Sequence, residues 1–475
     1  MKKKTFKPFI HNEFVETSKT FTVTNPYDGS EVGTVYRAEE PHLERAVRSA
    51  QAGFQEMRKL SSYDRYHALL KIRDGIQKRE KELVETIVRE GGKPIRFARN
   101  EVSRAQLTFT WAAEEARRLT GEFLPLDVAP QTRGYMGIAR RVPLGVILGI
   151  SPFNFPLNLV AHKIAPSIAS GNAIILKPAS PTPITALLLA EIIQEADLPP
   201  GAVNVIPCSG KDAETLVTDG RIQKLTFTGS AEVGWYLKSK AGKKHVTLEL
   251  GGNAGVIVEP DADLEFAVPR LALGAFAHAG QVCISVQRIY VQEHIFEPFV
   301  SAFLETVQRS MKMGDPFDEE TVVGPMIDQE AAQRAERWIQ EACEQGAQIL
   351  TGGKRNGSLL EPTVITHTKP DMKVVYEEVF APIVVIEPYR EFPEAIKWVN
   401  HSHYGLQAGV FTRDIHKIKY AFDELQVGGV IINDYPTFRI DPMPYGGSKD
   451  SGFGREGIRY AIEEMTEIRL LAMKF

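Results

Sequence analysis

Cysteine is scarce in this chain: Cys208, Cys283 and Cys343 are the only three in 475 residues. An odd number at wide spacing offers no disulfide framework and suits a reducing compartment. CxxC, HExxH and clusters of histidine with cysteine are all missing, so no metal is expected, structural or catalytic. Charge of a single sign is missing too. Charged residues make up 24% of the chain and the net charge is −4, a balance that points to neither nucleic acid nor an acidic membrane as a partner. Long hydrophobic runs are also lacking. The most apolar stretch, 142–160, is broken by Pro143, Pro152, Asn154, Pro156 and Asn158, which a lipid-spanning helix rarely tolerates together. The basic start, Met1-Lys2-Lys3-Lys4-Thr5-Phe6-Lys7, is not followed by the apolar core of a secretion signal, so a cytoplasmic setting is expected.

What is present is an alternation of helix and strand signals. A chain of this length is expected to form about three domains or subdomains, because one core rarely serves so many residues. The first third reads as helical over 41–57 and 62–90, with Leu69, Ile72, Ile76, Leu83 and Ile87 at near-helical spacing. From Gly145 onward, strands at 145–150, 173–176, 203–206 and 224–227 alternate with helices at 157–169, 184–196, 213–218 and 231–241. That alternation predicts an α/β fold with a parallel sheet and right-handed crossovers, as in dinucleotide-binding proteins. A second α/β unit begins near Gly251-Gly252, with a strand at 255–258 and a helix at 264–277. The strand-like stretches 134–142 and 466–474 fit neither unit. Unpaired edges of this kind find partners in another subunit, so a homodimer or homotetramer is expected.

Four motifs fall at strand ends and loops, where α/β proteins place their sites. Asn154, in Ser151-Pro152-Phe153-Asn154-Phe155-Pro156, offers a neutral amide donor of the kind that stabilises an oxyanion; an Asn between prolines also simply holds a turn. Lys177, in Leu176-Lys177-Pro178-Ala179-Ser180, suits a ribose or phosphate, or else is a solvated lysine before a loop. Phe227-Thr228-Gly229-Ser230 passes from strand to helix, and the free N–H groups there suit a pyrophosphate. No GxGxxG accompanies it between 145 and 241. Glu249, in Leu248-Glu249-Leu250-Gly251-Gly252-Asn253, is a carboxylate in an apolar strand, a candidate for a raised pKa and for general-base work near neutrality. Cys283 follows the small-residue turn Ala277-His278-Ala279-Gly280. It is a candidate nucleophile, against the alternative of a buried inert thiol; His278 is read as structural.

Taken in order, SPFNFP, LKPAS, FTGS, LELGGN, GQVC, EEVFAP and PYGGSKDSGFGREG resemble the aldehyde dehydrogenase superfamily over essentially the whole chain. The resemblance implies an α/β, aldehyde dehydrogenase-like fold. Its parts would be a variant Rossmann cofactor domain (1–124 and 144–252), an α/β catalytic domain (253–449) and a small β oligomerisation element (125–143 and 462–475). It further implies oxidation of an aldehyde to a carboxylic acid with NAD or NADP, through a thiohemiacetal and a thioester on Cys283. Glu249 would activate the hydrolytic water, Asn154 and the backbone N–H of Cys283 would form the oxyanion hole, and Lys163 and Glu456 would relay protons to and from the base. Ser151, Pro152, Phe153, Lys177, Ser180, Gly229, Ser230, Leu250, Glu378 and Phe380 would contact the cofactor.

Five positions depart from the pattern or refine it. Many NAD-preferring relatives carry a glutamate where this chain has Ser180; a neutral side chain removes its repulsion of a 2′-phosphate, so NADP is expected to be used alongside NAD. Arg104 and Arg439 fall at or near places where relatives acting on anionic aldehydes keep arginines; ion pairing at a surface or interface is the alternative. Those relatives carry an arginine at the place of Val282 and a histidine or tyrosine at that of Phe155. The substrate pocket, with Arg104, Phe155 and Arg439 in its wall, is therefore expected to take a small hydroxylated or weakly anionic aldehyde, such as lactaldehyde or a semialdehyde. Two rival readings are a CoA-acylating dehydrogenase, whose members usually lack the equivalent of Glu249, and a catalytically silent member of the fold.

Overall fold

The computed structural model describes residues 4–475; the first three residues of the basic start, Met1-Lys2-Lys3, lie outside the described residues. Val146–Ile150 and Ala173–Lys177 are buried at all five positions each, as apolar strands covered by helices on both faces must be. Together with three more they form the centre of an eight-stranded sheet. The parallel order across it is His245–Glu249, Lys224–Thr228, Val146–Ile150, Ala173–Lys177 and Val203–Val205. Chain order reverses between Val146–Ile150 and Lys224–Thr228, and at such a reversal the neighbouring loops part to leave a crevice. Gly452–Phe453 adds an antiparallel edge beside His245–Glu249, and Phe9–Ile10 with Glu13–Phe14 closes the other edge.

A second sheet has seven strands, with Ala254–Val258 flanked by Val286–Gln292 and Gln407–Phe411. The chain passes from the first sheet to the second through residues 250–253: Glu249 ends a strand of the first and Ala254 begins one of the second. The stretches that fitted neither unit pair with each other. Thr466–Lys474 runs antiparallel to Tyr135–Pro143, from Thr466 opposite Pro143 to Lys474 opposite Tyr135, and Gly121–Pro125 completes a three-stranded sheet. Thr466–Lys474 remains an edge of that sheet, with Ile468, Leu470 and Leu471 exposed. Among the described residues, no helix is long and apolar enough to cross a membrane.

The helical stretch expected over 62–90 is two helices, Ser62–Lys78 and Glu80–Gly91, broken at Arg79 (φ −105, ψ 19). The apolar periodicity runs through the break and hides it. A tertiary contact fixes it: the Arg79 guanidinium pairs with Glu191 of the helix Ile184–Gln194 at 2.7 Å. The same layer supplies two buried carboxylates to the sheet helices. Glu90 accepts the N–H groups of Ile184 and Thr185 at 2.8 and 3.0 Å, and Glu101 accepts those of Leu157 and Asn158 at 2.9 and 3.1 Å. A carboxylate at a helix N-terminus meets unpaired donors and the positive end of the dipole. Glu101 is also ion-paired with Lys93, both fully buried, and so fixes the start of Asn158–Ser170, the helix that carries His162 and Lys163.

Replacing Glu101 by Leu strands a buried ammonium and uncaps that helix, at an expected cost of about 3–5 kcal/mol. The double replacement Lys93→Leu with Glu101→Leu removes the stranded charge and is expected to lose less. Denaturant midpoints of the two variants check this, and an equal loss in both contradicts it.

Candidate active site

Cys283 sits three residues before the strand Val286–Gln292, at the end of an unusual turn. His278 and Ala279 hold left-handed φ values of 52° and 54°, and Gly280 follows at 67°. Two consecutive non-glycine residues in this region store strain that the surrounding packing must overcome, and they aim residues 281–283 back toward the first sheet. There the crossing segment comes to meet them: a Cβ on Gly252 would lie 2.1 Å from the carbonyl oxygen of Cys283. Only glycine permits that approach, which brings the end of His245–Glu249 against the cysteine loop.

Asn154 is buried in the loop after Val146–Ile150, and its Nδ2 donates to the Gln281 carbonyl at 2.9 Å. An amide nitrogen has two hydrogens, so one remains for another acceptor. The Cys283 Sγ lies 3.1 Å from the Tyr445 hydroxyl. Burial pushes the thiol up to about 11, against the pull of that contact and of Arg439, so the resting group at neutral pH is the thiol. Both carboxylate oxygens of Glu249 are buried without a partner. Burial first, and the charge of Glu456 second, raise Glu249 well above the ordinary carboxyl range.

Glu456 has the opposite setting. Burial opposes its charge, yet Lys163, a hydrogen bond with His162 and Arg439 together hold it well below the usual range. Lys163 Nζ lies 3.3 Å from one of its oxygens and Arg439 Nη2 lies 3.2 Å from the other. Arg439 Nη2 also lies 2.8 Å from His162 Nδ1, and His162 Nε2 lies 2.8 Å from Asp441. Asp441 in turn holds Arg104 at 3.2 Å. Two neighbouring carboxylates, one kept ionised and one pushed toward neutral, form the kind of pair whose members take different roles in proton transfer.

Two cavities meet at Cys283. One, of about 520 Å³, is lined by all ten residues expected to contact a cofactor: Ser151, Pro152, Phe153, Lys177, Ser180, Gly229, Ser230, Leu250, Glu378 and Phe380. The other, of about 310 Å³, is lined by Arg104, Phe155 and Arg439 together with Glu249, Lys93, His278 and Tyr445. Thr228, Leu159 and Leu250, like Cys283, border both.

The larger cavity has the unfilled groups that a dinucleotide needs. Ser230 precedes the helix Ala231–Lys240 without capping it through its side chain, so the first N–H groups stay free for a pyrophosphate. The Ser151 hydroxyl has no partner. The Lys177 ammonium is buried and donates to the adjacent Pro178 carbonyl at 3.2 Å. Glu378, pushed up to about 7 by burial, accepts the Gly252 N–H at 2.9 Å and keeps a second oxygen for ribose hydroxyls. Among the described residues, no cluster of His, Cys, Asp and Glu is placed to hold a metal.

Sequence reasoning did not single out Tyr445, His162, Asp441 or Lys93. Tyr445 opens the YGG run of a motif already quoted, and that was its one signal. His162 and Asp441 lie far apart in sequence and meet only in the fold, and Lys93 reaches the cavity wall over the Phe155 ring. His278, read as structural, lies in the wall of the smaller cavity with both ring nitrogens unpartnered.

A model of the Aldehyde dehydrogenase family matches residues 14–471. The 3-sulfolactaldehyde dehydrogenase of Priestia aryabhattai is 44% identical over 466 residues, covering 98% of this chain and 97% of that protein. The lactaldehyde dehydrogenase of Methanococcus aeolicus is 40% identical over 468 residues, with 98% and 99% covered. Among solved structures, the chain is similar to aldehyde dehydrogenase 21 of Physcomitrella patens in complex with the reaction product succinate. That match has a TM-score of 0.98 and 43% identity, over 100% of this chain and 99% of that one. A glyceraldehyde-3-phosphate dehydrogenase of Methanocaldococcus jannaschii complexed with NADP matches at a TM-score of 0.93 and 37% identity, over 97% and 100%.

With the thiol at about 11, its alkylation by iodoacetamide in the ligand-free protein is expected to quicken about tenfold per pH unit between roughly pH 7 and pH 9, as the thiolate fraction grows. Tyr445→Phe removes a contact that lowers this value and is expected to slow the reaction at every pH. Peptide mass spectrometry at Cys283 reads both; a rate flat across this range contradicts the assignment.

Proposed function

The chain belongs to the aldehyde dehydrogenase family and oxidises an aldehyde with NAD or NADP; we propose that it does so through a thioester on Cys283, released as free acid by water that Glu249 activates. The observation that carries this reading is the place of Cys283 in the walls of both cavities. A nucleophile there faces a substrate on one side and a hydride acceptor on the other.

The aldehyde carbonyl enters the smaller cavity. As the sulfur–carbon bond forms, the thiol proton passes to Glu249, the carboxylate in the same wall. The carbonyl oxygen becomes an oxyanion that the free hydrogen of Asn154 Nδ2 and the backbone N–H of Cys283 stabilise. When bound in the larger cavity, the nicotinamide supplies the acceptor for the hydride that leaves the thiohemiacetal carbon. Water then adds to the thioester carbon while Glu249 takes its proton. The same donors hold the second oxyanion, and the carbon–sulfur bond breaks to give the acid. Lys163 and Glu456, in contact at 3.3 Å, pass protons to and from Glu249. Retention of Glu249 favours hydrolysis over transfer to CoA, and Cys283, Glu249 and Asn154 together argue against a silent member of the fold.

The substrate is a small hydroxylated or anionic aldehyde, such as lactaldehyde or a semialdehyde. Lys93, Arg104 and Arg439 line the smaller cavity, and Glu249 is the one carboxylate of its lining. Each cation is held by an acid outside that lining, at Glu101, Asp441 and Glu456. The pocket is therefore mildly positive, which suits a hydroxyl or a single negative charge. Ser180 in the larger cavity leaves room for a 2′-phosphate, so both cofactors serve. The exposed apolar residues of the edge strand Thr466–Lys474 join subunits into a homodimer or homotetramer, and three unpaired cysteines suit the cytoplasm. The division into a cofactor domain (1–124 and 144–252), a catalytic domain (253–449) and an oligomerisation element (125–143 and 462–475) is part of the same reading.

Three variants separate the steps. Cys283→Ala is expected to lose turnover. Asn154→Ala is expected to cost about 10²–10³ in kcat, the typical worth of one oxyanion donor. Glu249→Gln is expected to slow acylation, because the thiol proton then has only water to take it, and still to give one equivalent of reduced cofactor before it stalls. Rapid-mixing absorbance records all three, and unimpaired steady-state turnover by Glu249→Gln overturns its role. A panel of lactaldehyde, glycolaldehyde, succinate semialdehyde and an aliphatic aldehyde, run with NAD and with NADP, is expected to favour the polar aldehydes. Flat activity across the panel contradicts the charged pocket.

A further inference from the structure

The thioester reading asks one carboxylate to take a proton twice in each cycle, from the thiol and then from water. Glu249 must be emptied in between, yet it is only 3% exposed, and the cavity it lines is filled by substrate. A row of polar side chains leads away from it inside the sheet. On the central strand Lys224–Thr228, side chains at alternate positions share a face, which groups Lys224, Thr226 and Thr228. The parallel register sets Thr228 beside Glu249 and Thr226 beside Thr247 on the next strand. Polar residues at alternate positions of a strand covered on both sides carry a desolvation cost that apolar residues would avoid.

The row falls into two hydrogen-bonded groups that adjoin at the register pair Thr226 and Thr247. Lys163 Nζ lies 2.7 Å from the Thr228 hydroxyl and 3.3 Å from that of Thr226. Farther from the site, Lys224 Nζ donates to the Thr247 hydroxyl at 2.6 Å and pairs with Glu464 at 3.4 Å. Thr247 is itself 3.5 Å from that carboxylate. The Lys224 side chain is 1% exposed and that of Glu464 is 36% exposed, so the row begins at the buried base and ends in solvent.

We propose that Thr226, Thr247, Lys224 and Glu464 carry the proton from Glu249 and Lys163 out to solvent between acylation and deacylation, a path that rests on the thioester reading and extends it to the surface. Each threonine hydroxyl accepts one hydrogen while donating another. Lys224 gives its proton to Glu464, which passes it to water, and is refilled from the Thr226 side. One proton enters at Glu249, one leaves at Glu464, and no net charge stays behind. Burial pushes the Lys224 ammonium down to about 8, against the pull of Glu464, within range of release at neutral pH. None of the four touches substrate; they are positioning residues that act through Glu249.

Lys224→Arg separates this role from a structural one, because arginine keeps the charge and the pairing with Glu464 but does not give up its proton. The full-length variant is mixed rapidly with aldehyde and NAD(P), following reduced cofactor and free acid in H2O and in D2O. The expected result is a burst of wild-type rate and size, deacylation slowed about tenfold or more, and a larger solvent deuterium effect on that step. Wild-type deacylation and an unchanged deuterium effect in a folded Lys224→Arg enzyme overturn the path. Thr247→Val, which leaves every charge in place, is expected to give the same pattern, and it decides the question if the arginine variant fails to fold. Absence of a burst in the wild-type enzyme overturns the thioester reading itself, a result distinct from a normal burst with normal deacylation in the variants.

Discussion

The site depends on the desolvation of Glu249. A carboxylate with both oxygens buried and unpartnered costs more to keep charged than a paired one, and in the proposed mechanism that cost lets it serve as a base near neutrality. The fold sustains it by placing it at the last position of a central strand, where the chain leaves one sheet for the other through Gly251 and Gly252. Glu456 beside it keeps its charge because Lys163 and Arg439 contact it. Were Glu456 also unpaired, two carboxyls would compete for one proton and neither would have a defined state.

Cys283 shares this logic with the opposite consequence. Burial raises the thiol and so keeps the sulfur unreactive until a base and an electrophile are both at hand. The strained turn at His278 and Ala279 and the close approach at Gly252 serve one end. They hold the sulfur in the wall shared by two cavities, with Glu249 lining one and Asn154 the other, so in the proposed mechanism the reacting carbon faces both without moving.

Much of this was legible in the sequence. Alternating strands and helices after Gly145 gave the parallel sheet, because runs buried on both faces leave an unbroken apolar signature. The family resemblance carried by the short motifs implied the ten residues of one cavity, and the motifs themselves marked Glu249 and Cys283 as candidates. What stayed hidden depends on contacts between distant segments. The break at Arg79 lies within an uninterrupted periodicity and is set by Glu191. The pairing of Thr466–Lys474 with Tyr135–Pro143 spans most of the chain. Arg104 and Arg439 read as either pocket or ion-pair residues, and they are both: each lines the cavity while holding an acid behind it. Pattern reading treats such roles as alternatives, whereas a buried guanidinium needs the partner in order to face a pocket at all.

The most direct test of the account is to catch the intermediate. Glu249→Gln enzyme, mixed with a turned-over aldehyde and NAD(P) and quenched in acid within the first turnover, is digested and weighed peptide by peptide. The account predicts an acyl group on the peptide that contains Cys283 and on no other, in amount equal to the reduced cofactor formed. Reduced cofactor accompanied by free acid, with Cys283 unmodified throughout, would contradict it.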